Sequence, residues 1–138
     1  MQQTTAANLQ RPGSYQEEAA MSKVLGIHNV ELKPGVNERE FEEFIKAEVL
    51  PVYRKVPGQT IHFLKGDRGD RSGKYLVLIE LESVERRDHI YPLVGDTWGV
   101  AEDVQRLIGN IDPIWEKLYT FVDEFPDPGF TDYVMVSD

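Results

Sequence analysis

The chain has 138 residues, of which 41 % are hydrophobic, and a formal net charge of -9. This length and apolar content predict a single globular domain with its own core. The negative charge argues against binding to nucleic acid or to an anionic membrane, because both require clustered Lys and Arg. The chain has no Cys, which excludes disulfides and thiolate chemistry and is typical of a cytoplasmic protein.

The N-terminal segment differs in composition from the rest of the chain. Residues 1–22 are rich in Gln, Ala, Thr and Ser and contain few large apolar side chains. Such a segment buries too little surface to offset its ordering entropy, so we predict a flexible tail. Residues 23–138 form the predicted domain. No apolar run approaches the ~18 residues of a membrane-spanning helix.

The first predicted elements are a strand and an amphipathic helix. The strand covers Val24 to Lys33 and ends at the Pro34-Gly35 turn, and Asn37 then provides an N-cap with a glutamate three residues later. Helical spacing continues until Pro51 ends or kinks the helix. Five side chains form its apolar stripe: Phe41, Phe44, Ile45, Val49 and Val52.

The remaining elements complete a βαββαβ order. Residues 59–65 and 74–82 read as an antiparallel hairpin, and residues 83–123 as broken helices, one of them capped by Asp112. Residues 130–136 form the last predicted strand. Two helices on one face of an antiparallel sheet define a ferredoxin-like α+β fold.

The stretch "VELKPGVNEREFEEFIK" resembles the strand-turn-helix opening of the dimeric α+β barrel superfamily. That superfamily includes antibiotic-biosynthesis monooxygenase-like, NIPSNAP-like, EthD-like and haem-degrading proteins, and the resemblance extends over residues 24–136. It implies a homodimer in which two sheets form a barrel. It also implies that each subunit has a pocket between its sheet and its helices.

His28 is the predicted catalytic residue. It shares a strand face with Val30 and Leu32, whose side chains are expected to meet the helices, so His28 should face the pocket. It also lies seven residues before Gly35, where haem-degrading members of the superfamily have a functional Asn. His28 therefore fits a general base or hydrogen-bond donor. A core histidine hydrogen-bonded to a helix side chain is the open alternative.

Four further residues are predicted to bind substrate: His62, Tyr91, Trp98 and Tyr119. His62 belongs to the second strand, and the alternation pattern leaves open which of its faces points inward. Aromatic walls with a few polar groups suit a small aromatic ligand, although aromatic residues at helical spacing also build ordinary cores. His89 follows three charged residues and is expected to be solvated.

We expect no metal and no haem cofactor. The three histidines are widely spaced and do not form a metal-binding motif. Haem-degrading members of the superfamily commonly place their axial histidine within the region that corresponds to residues 100–123, and this region contains none.

Two functions follow from these observations. The first is a small-molecule-binding enzyme, namely a cofactor-independent monooxygenase that acts on an aromatic or enolisable substrate with His28 as base. The alternative is a non-catalytic ligand-binding or structural dimeric module, since a fold does not by itself imply a function. The two differ in whether an accessible cavity adjoins His28.

Overall fold

The computed structural model describes residues 20–123 and 130–137. The predicted N-terminal tail lies outside the described residues except for residues 20–22. The described chain is a mixed α+β fold in which helices pack on an antiparallel sheet. This class agrees with the prediction.

The main sheet has four strands, and their bounds follow the predicted ones closely. They are β1 (Val24–Val30), β2 (Gln59–Lys65), β3 (Tyr75–Leu81) and β6 (Phe130–Val134). The spatial order is β2-β3-β1-β6, and every neighbouring pair is antiparallel. With β1 in the interior of the sheet, this order is consistent with a ferredoxin-like arrangement.

The first helical region runs through Pro51 instead of ending there. Helix α1 (Glu38–Phe44) begins at Asn37, whose side chain accepts the Glu40 N–H at 3.0 Å as predicted. A π-helical segment (Ile45–Val49) follows and leads into α2 (Leu50–Tyr53). Pro51 lies in the first turn of α2, where its missing N–H costs little, and the wide π-helical turn before it relieves the usual clash with the preceding turn.

The second helical region consists of three helices and a small hairpin. Helix α3 (Val84–Ile90) is capped by the side chain of Ser83, which accepts the Arg86 N–H. The hairpin of β4 (Leu93–Val94) and β5 (Thr97–Trp98) separates α3 from the next helix. Helices α4 (Glu102–Ile108) and α5 (Asp112–Phe121) follow.

The start of α5 differs by one residue from the prediction. Ile111 is the N-cap, so Asp112 is the first helical residue rather than the cap. The side chain of Asn110 accepts the Asp112 N–H at 3.1 Å. The acidic side chain of Asp112 still suits the first turn, because it lies near the positive end of the helix dipole.

Strand pairing sorts the sheet into two faces. The helix-facing side carries rows of paired residues such as Gly26-Ile79-Ile61 and His28-Val77-Phe63. The opposite side carries Ile27-Leu78-His62 and neighbouring rows. The buried core lies on the helix-facing side in two clusters, one containing Phe41 and the other containing Ile90.

A hydrogen bond links the sheet to α1 at the edge of the first cluster. The Tyr75 hydroxyl donates to a carboxylate oxygen of Glu42 at 2.5 Å. This bond holds the pKa of Glu42 below its usual range, while burial and the adjacent Glu42 carboxylate raise the pKa of Tyr75 to about 12. The bond therefore favours ionised Glu42 in the folded state.

We predict that Tyr75→Phe lowers the free energy of unfolding by about 1 kcal/mol at pH 7, since the lost bond is charge-assisted but Glu42 is one-third exposed. Because the pKa of Glu42 is lowered on folding, this stabilisation is present above its usual pKa of 4.5 and is lost as the pH falls through the folded value. Urea unfolding at pH 7 and pH 3 measures both effects. Tyr133→Phe, at an exposed tyrosine, is the control. An equal loss at both pH values would contradict the prediction.

Candidate functional site

A cavity of about 710 Å³ lies between the helix-facing side of the sheet and the helices. Its walls are mainly aliphatic and aromatic, and every helix from α2 to α5 contributes to them. The sheet provides the floor through β1, β2, β3 and β6. Examples of its apolar lining are Val30, Ile61, Phe63, Val77, Ile79 and Leu118. We call this space the sheet–helix cavity.

His28 lies in the floor of the sheet–helix cavity, on the face of β1 that the alternation pattern predicted. Its neighbours in the sheet are Val77 on β3 and Phe130 on β6. The centroids of the His28 and Phe130 rings are 4.1 Å apart. Burial lowers the pKa of His28 below 6.5, and the negative charge of Asp132 partly opposes this shift. His28 is therefore mainly neutral at pH 7 and has an imidazole nitrogen that can take up a proton.

An ion pair in the same wall was not predicted from the sequence. Arg87 Nη1 on α3 lies 2.8 Å from Asp132 Oδ2 on β6, and both side chains are less than one-fifth exposed. Arg87 Nε also contacts the exposed carboxylate of Asp88 at 2.7 Å. The two ends of the Arg87–Asp132 pair are 45 residues apart in the chain, so no local motif joins them.

Gly26 makes room for this ion pair. It pairs with Asp132 across the β1–β6 ladder, and a Cβ atom at Gly26 would lie 2.8 Å from Asp132 Oδ1 and 3.4 Å from the Phe130 ring. Only a residue without a side chain leaves the Asp132 carboxylate and Phe130 in their observed positions. A glycine inside a strand often marks such a close approach, so Gly26 was a sequence signal that could have indicated this site.

The three aromatic residues predicted to bind substrate all line the cavity. Tyr91 is largely buried, and its hydroxyl donates to Gln59 Oε1 at 2.5 Å. Burial raises the pKa of Tyr91 to about 12, so it stays a neutral donor. Trp98, from the hairpin, and Tyr119, on α5, are about half exposed and stand where the cavity meets solvent. Their role in binding a substrate stays a prediction.

Two further aromatic residues line the cavity and were not among those predicted to bind substrate. Trp115 is partly exposed and lines the cavity with its ring centroid 5.8 Å from that of Tyr119. Tyr53 on α2 also lines the cavity, and burial raises the pKa of its hydroxyl. Helical periodicity does not distinguish a packed core from a cavity wall.

His62 does not line the cavity. Its strand neighbours Ile61 and Phe63 face the helices, so alternation turns His62 to the opposite side of the sheet. There its Nε2 lies 2.7 Å from Glu80 Oε2. This corrects the predicted set of cavity residues. The pattern of β2 alone left the inward face open, and the register with β3 decides it.

Among the residues described, no three His, Asp or Glu side chains come together in a way that could hold a metal ion. His89, expected to be solvated, is half exposed and pairs with Asp103 at 3.0 Å. Within the same part of the chain, no helix has the length and apolar character needed to cross a membrane.

Comparison with solved structures yields matches to several chains. The fold is similar to the crystal structure of an uncharacterized NIPSNAP-like domain protein from Burkholderia xenovorans, with a TM-score of 0.49 and 15 % sequence identity. The match covers 86 % of this chain and 87 % of that chain. No protein-family model and no curated protein matches the sequence. At this identity and TM-score the likeness carries no statement about family or activity.

We predict that His28 titrates below pH 6.5 in two-dimensional NMR spectra of its ring, because burial disfavours the imidazolium. Asp132→Asn should lower the midpoint further, because the carboxylate that favours the charged ring is lost. Asp70→Asn removes the same charge from an exposed loop residue and should leave the midpoint unchanged. A midpoint at or above 6.5, or a rise in Asp132→Asn, would contradict this electrostatic description of the site.

Proposed function

We propose that this protein binds a small, mostly apolar molecule in the sheet–helix cavity. The observation that supports this most strongly is an apolar cavity of about 710 Å³ with a neutral histidine in its wall. Ligand sites in proteins are commonly apolar clefts of ~300–1,000 Å³ with a few polar groups that orient the ligand. Here His28 and the Arg87–Asp132 pair are such groups.

We further propose that the bound molecule is a substrate and that His28 is the catalytic base. A neutral imidazole can remove a proton from an aromatic, enolisable ketone and leave an electron-rich carbanion. Dioxygen can then oxidise the activated CH₂ group to a carbonyl. One oxygen atom enters the product, and the other leaves as water with the two hydrogens lost from the carbon. The protein would contribute proton removal, orientation and exclusion of water, and no cofactor is needed in this scheme.

A non-catalytic binding module is the second candidate. It is favoured by the contact between His28 and Phe130, whose ring centroids are 4.1 Å apart, since such packing also suits a structural histidine. The two candidates share the cavity and differ only in the chemistry of His28.

We predict that the wild-type protein oxidises an aromatic, enolisable ketone such as anthrone, with oxygen consumption as the readout. His28→Ala should lower kcat by about 10²-fold or more, the usual contribution of a general base, while binding of the ketone, measured by calorimetry, is retained. His62→Ala is the control, because His62 lies on the opposite face of the sheet. Binding without turnover in the wild type would favour the non-catalytic module. Absence of binding would refute both candidates.

We also propose that two copies of the chain pair through the open face of the sheet, and that the protein acts in the cytoplasm. The open face carries apolar side chains that are partly exposed, including Ile27, Leu76 and Leu78, and Leu64 and Tyr133 on it are 43 % and 54 % exposed. Burial of such a face by a second copy removes apolar surface from water. The absence of Cys supports the proposed cytoplasmic location.

We predict a dimer in sedimentation velocity experiments at micromolar concentration. Leu78→Lys should shift the protein to monomer, because it places a charge at the centre of the proposed interface. Leu107→Lys, at an exposed leucine on α4, should leave the dimer intact. A compact wild-type monomer at this concentration would count against the proposed pairing.

A further inference from the structure

The charges in the wall of the sheet–helix cavity cancel each other. Arg87 and Asp132 are the charged side chains among the described residues that line it, and they are paired at 2.8 Å. They are 17 % and 18 % exposed, respectively, so water screens them only partly. Arg87 has Asp88 as a second carboxylate partner. The described lining residues therefore offer no uncompensated positive charge to an anionic ligand.

Each class of charged ligand meets a specific cost in this wall. A carboxylate beside Arg87 would compete with Asp132 and would leave that carboxylate poorly paired in an apolar surrounding. An ammonium group beside Asp132 would displace Arg87 in the same way. Removing one partner from a buried pair is costly, because it leaves a charge without compensation. The neutral His28 ring offsets neither charge.

An uncharged oxygen group meets no such cost. The N–H groups of Arg87 that are not directed at its carboxylate partners can donate hydrogen bonds to a carbonyl or hydroxyl oxygen. The imidazole of His28 can accept a hydrogen bond from a hydroxyl group or donate one to a carbonyl. The remainder of the wall is apolar and suits rings or hydrocarbon.

We infer that the ligand of the sheet–helix cavity is an uncharged, largely apolar molecule whose hydroxyl or carbonyl oxygen lies beside His28 and the Arg87–Asp132 pair, and that this pair excludes carboxylate and ammonium analogues. This inference rests on the proposed function, because it names the chemical class that the proposed site accepts. It also assigns Arg87 and Asp132 a role in ligand selection.

Three naphthalene compounds with the same ring system and different charges test this inference by calorimetry at pH 7. They are 1-naphthol, 1-naphthoate and 1-naphthylmethylammonium. We expect 1-naphthol to bind at least about tenfold more tightly than either ion, the ratio that corresponds to ~1.4 kcal/mol. Val77→Phe should abolish the binding of 1-naphthol, because it places a ring in the cavity beside His28. Leu107→Phe, at an exposed position on α4 outside the cavity lining, should leave this binding intact.

A charge variant tests the role of the ion pair. Asp132→Asn leaves Arg87 without its partly buried partner, so the affinity for 1-naphthoate relative to that for 1-naphthol should rise by about tenfold. Asp70→Asn makes the same charge change in an exposed loop and should have no effect. If Asp132→Asn lowers stability, circular dichroism identifies the folded fraction, and Asp132→Ser provides a second neutral variant.

The outcomes separate the inference from the proposed function. Equal or tighter binding of 1-naphthoate by the wild type would overturn the inference and leave ligand binding intact. An unchanged ratio of the affinities for 1-naphthol and 1-naphthoate in folded Asp132→Asn and Asp132→Ser would also overturn the inference. Failure of all three compounds to bind, or binding of 1-naphthol that Val77→Phe does not reduce, would overturn the proposed cavity function and the inference with it.

Discussion

The antiparallel pairing of β1 with β3 and β6 is the constraint on which the site depends. Because side chains alternate along a strand, this register decides at once which residues of all three strands face the helices. It places Phe130, His28 and Val77 in one row and Asp132, Gly26 and Ile79 in the next. A shift of one residue would turn His28 to the open face and remove Asp132 from the reach of Arg87.

Within this register, Gly26 couples the backbone to the electrostatics of the site. Its missing side chain lets the Asp132 carboxylate lie over β1, where it meets Arg87 from α3. Such a pair adds little stability, because desolvation offsets most of the attraction between the charges. Its consequence lies in the properties of the cavity. The pair ties the edge strand to a helix, keeps the wall neutral overall, and places a negative charge near His28 that moderates the effect of burial on its pKa.

Local patterns in the sequence predicted the elements and the direction of His28 well. Alternation on β1 placed His28 on the face of Val30 and Leu32, which were expected to meet the helices, and Val30 is indeed buried in the core. His62 was different, because both faces of β2 carry apolar side chains and only pairing with β3 distinguishes them. From its local chemistry, Pro51 was predicted to end or kink the helix. In the structure the helical region continues through Pro51 after a π-helical segment. The Arg87–Asp132 pair joins distant positions, so only tertiary structure brings it together.

The cavity itself bears on the choice between a structural module and a ligand-binding protein. Protein interiors are packed nearly as densely as organic crystals, and an unfilled apolar space forfeits dispersion contacts along its whole lining. A chain selected for structure alone would be expected to fill the space beside His28 with larger side chains at positions such as Val77. Under the proposed function, a molecule occupies this space beside Val77 and the aromatic side chains at the solvent boundary. The partly buried, neutral His28 would then act as a base on that molecule and not on bulk water.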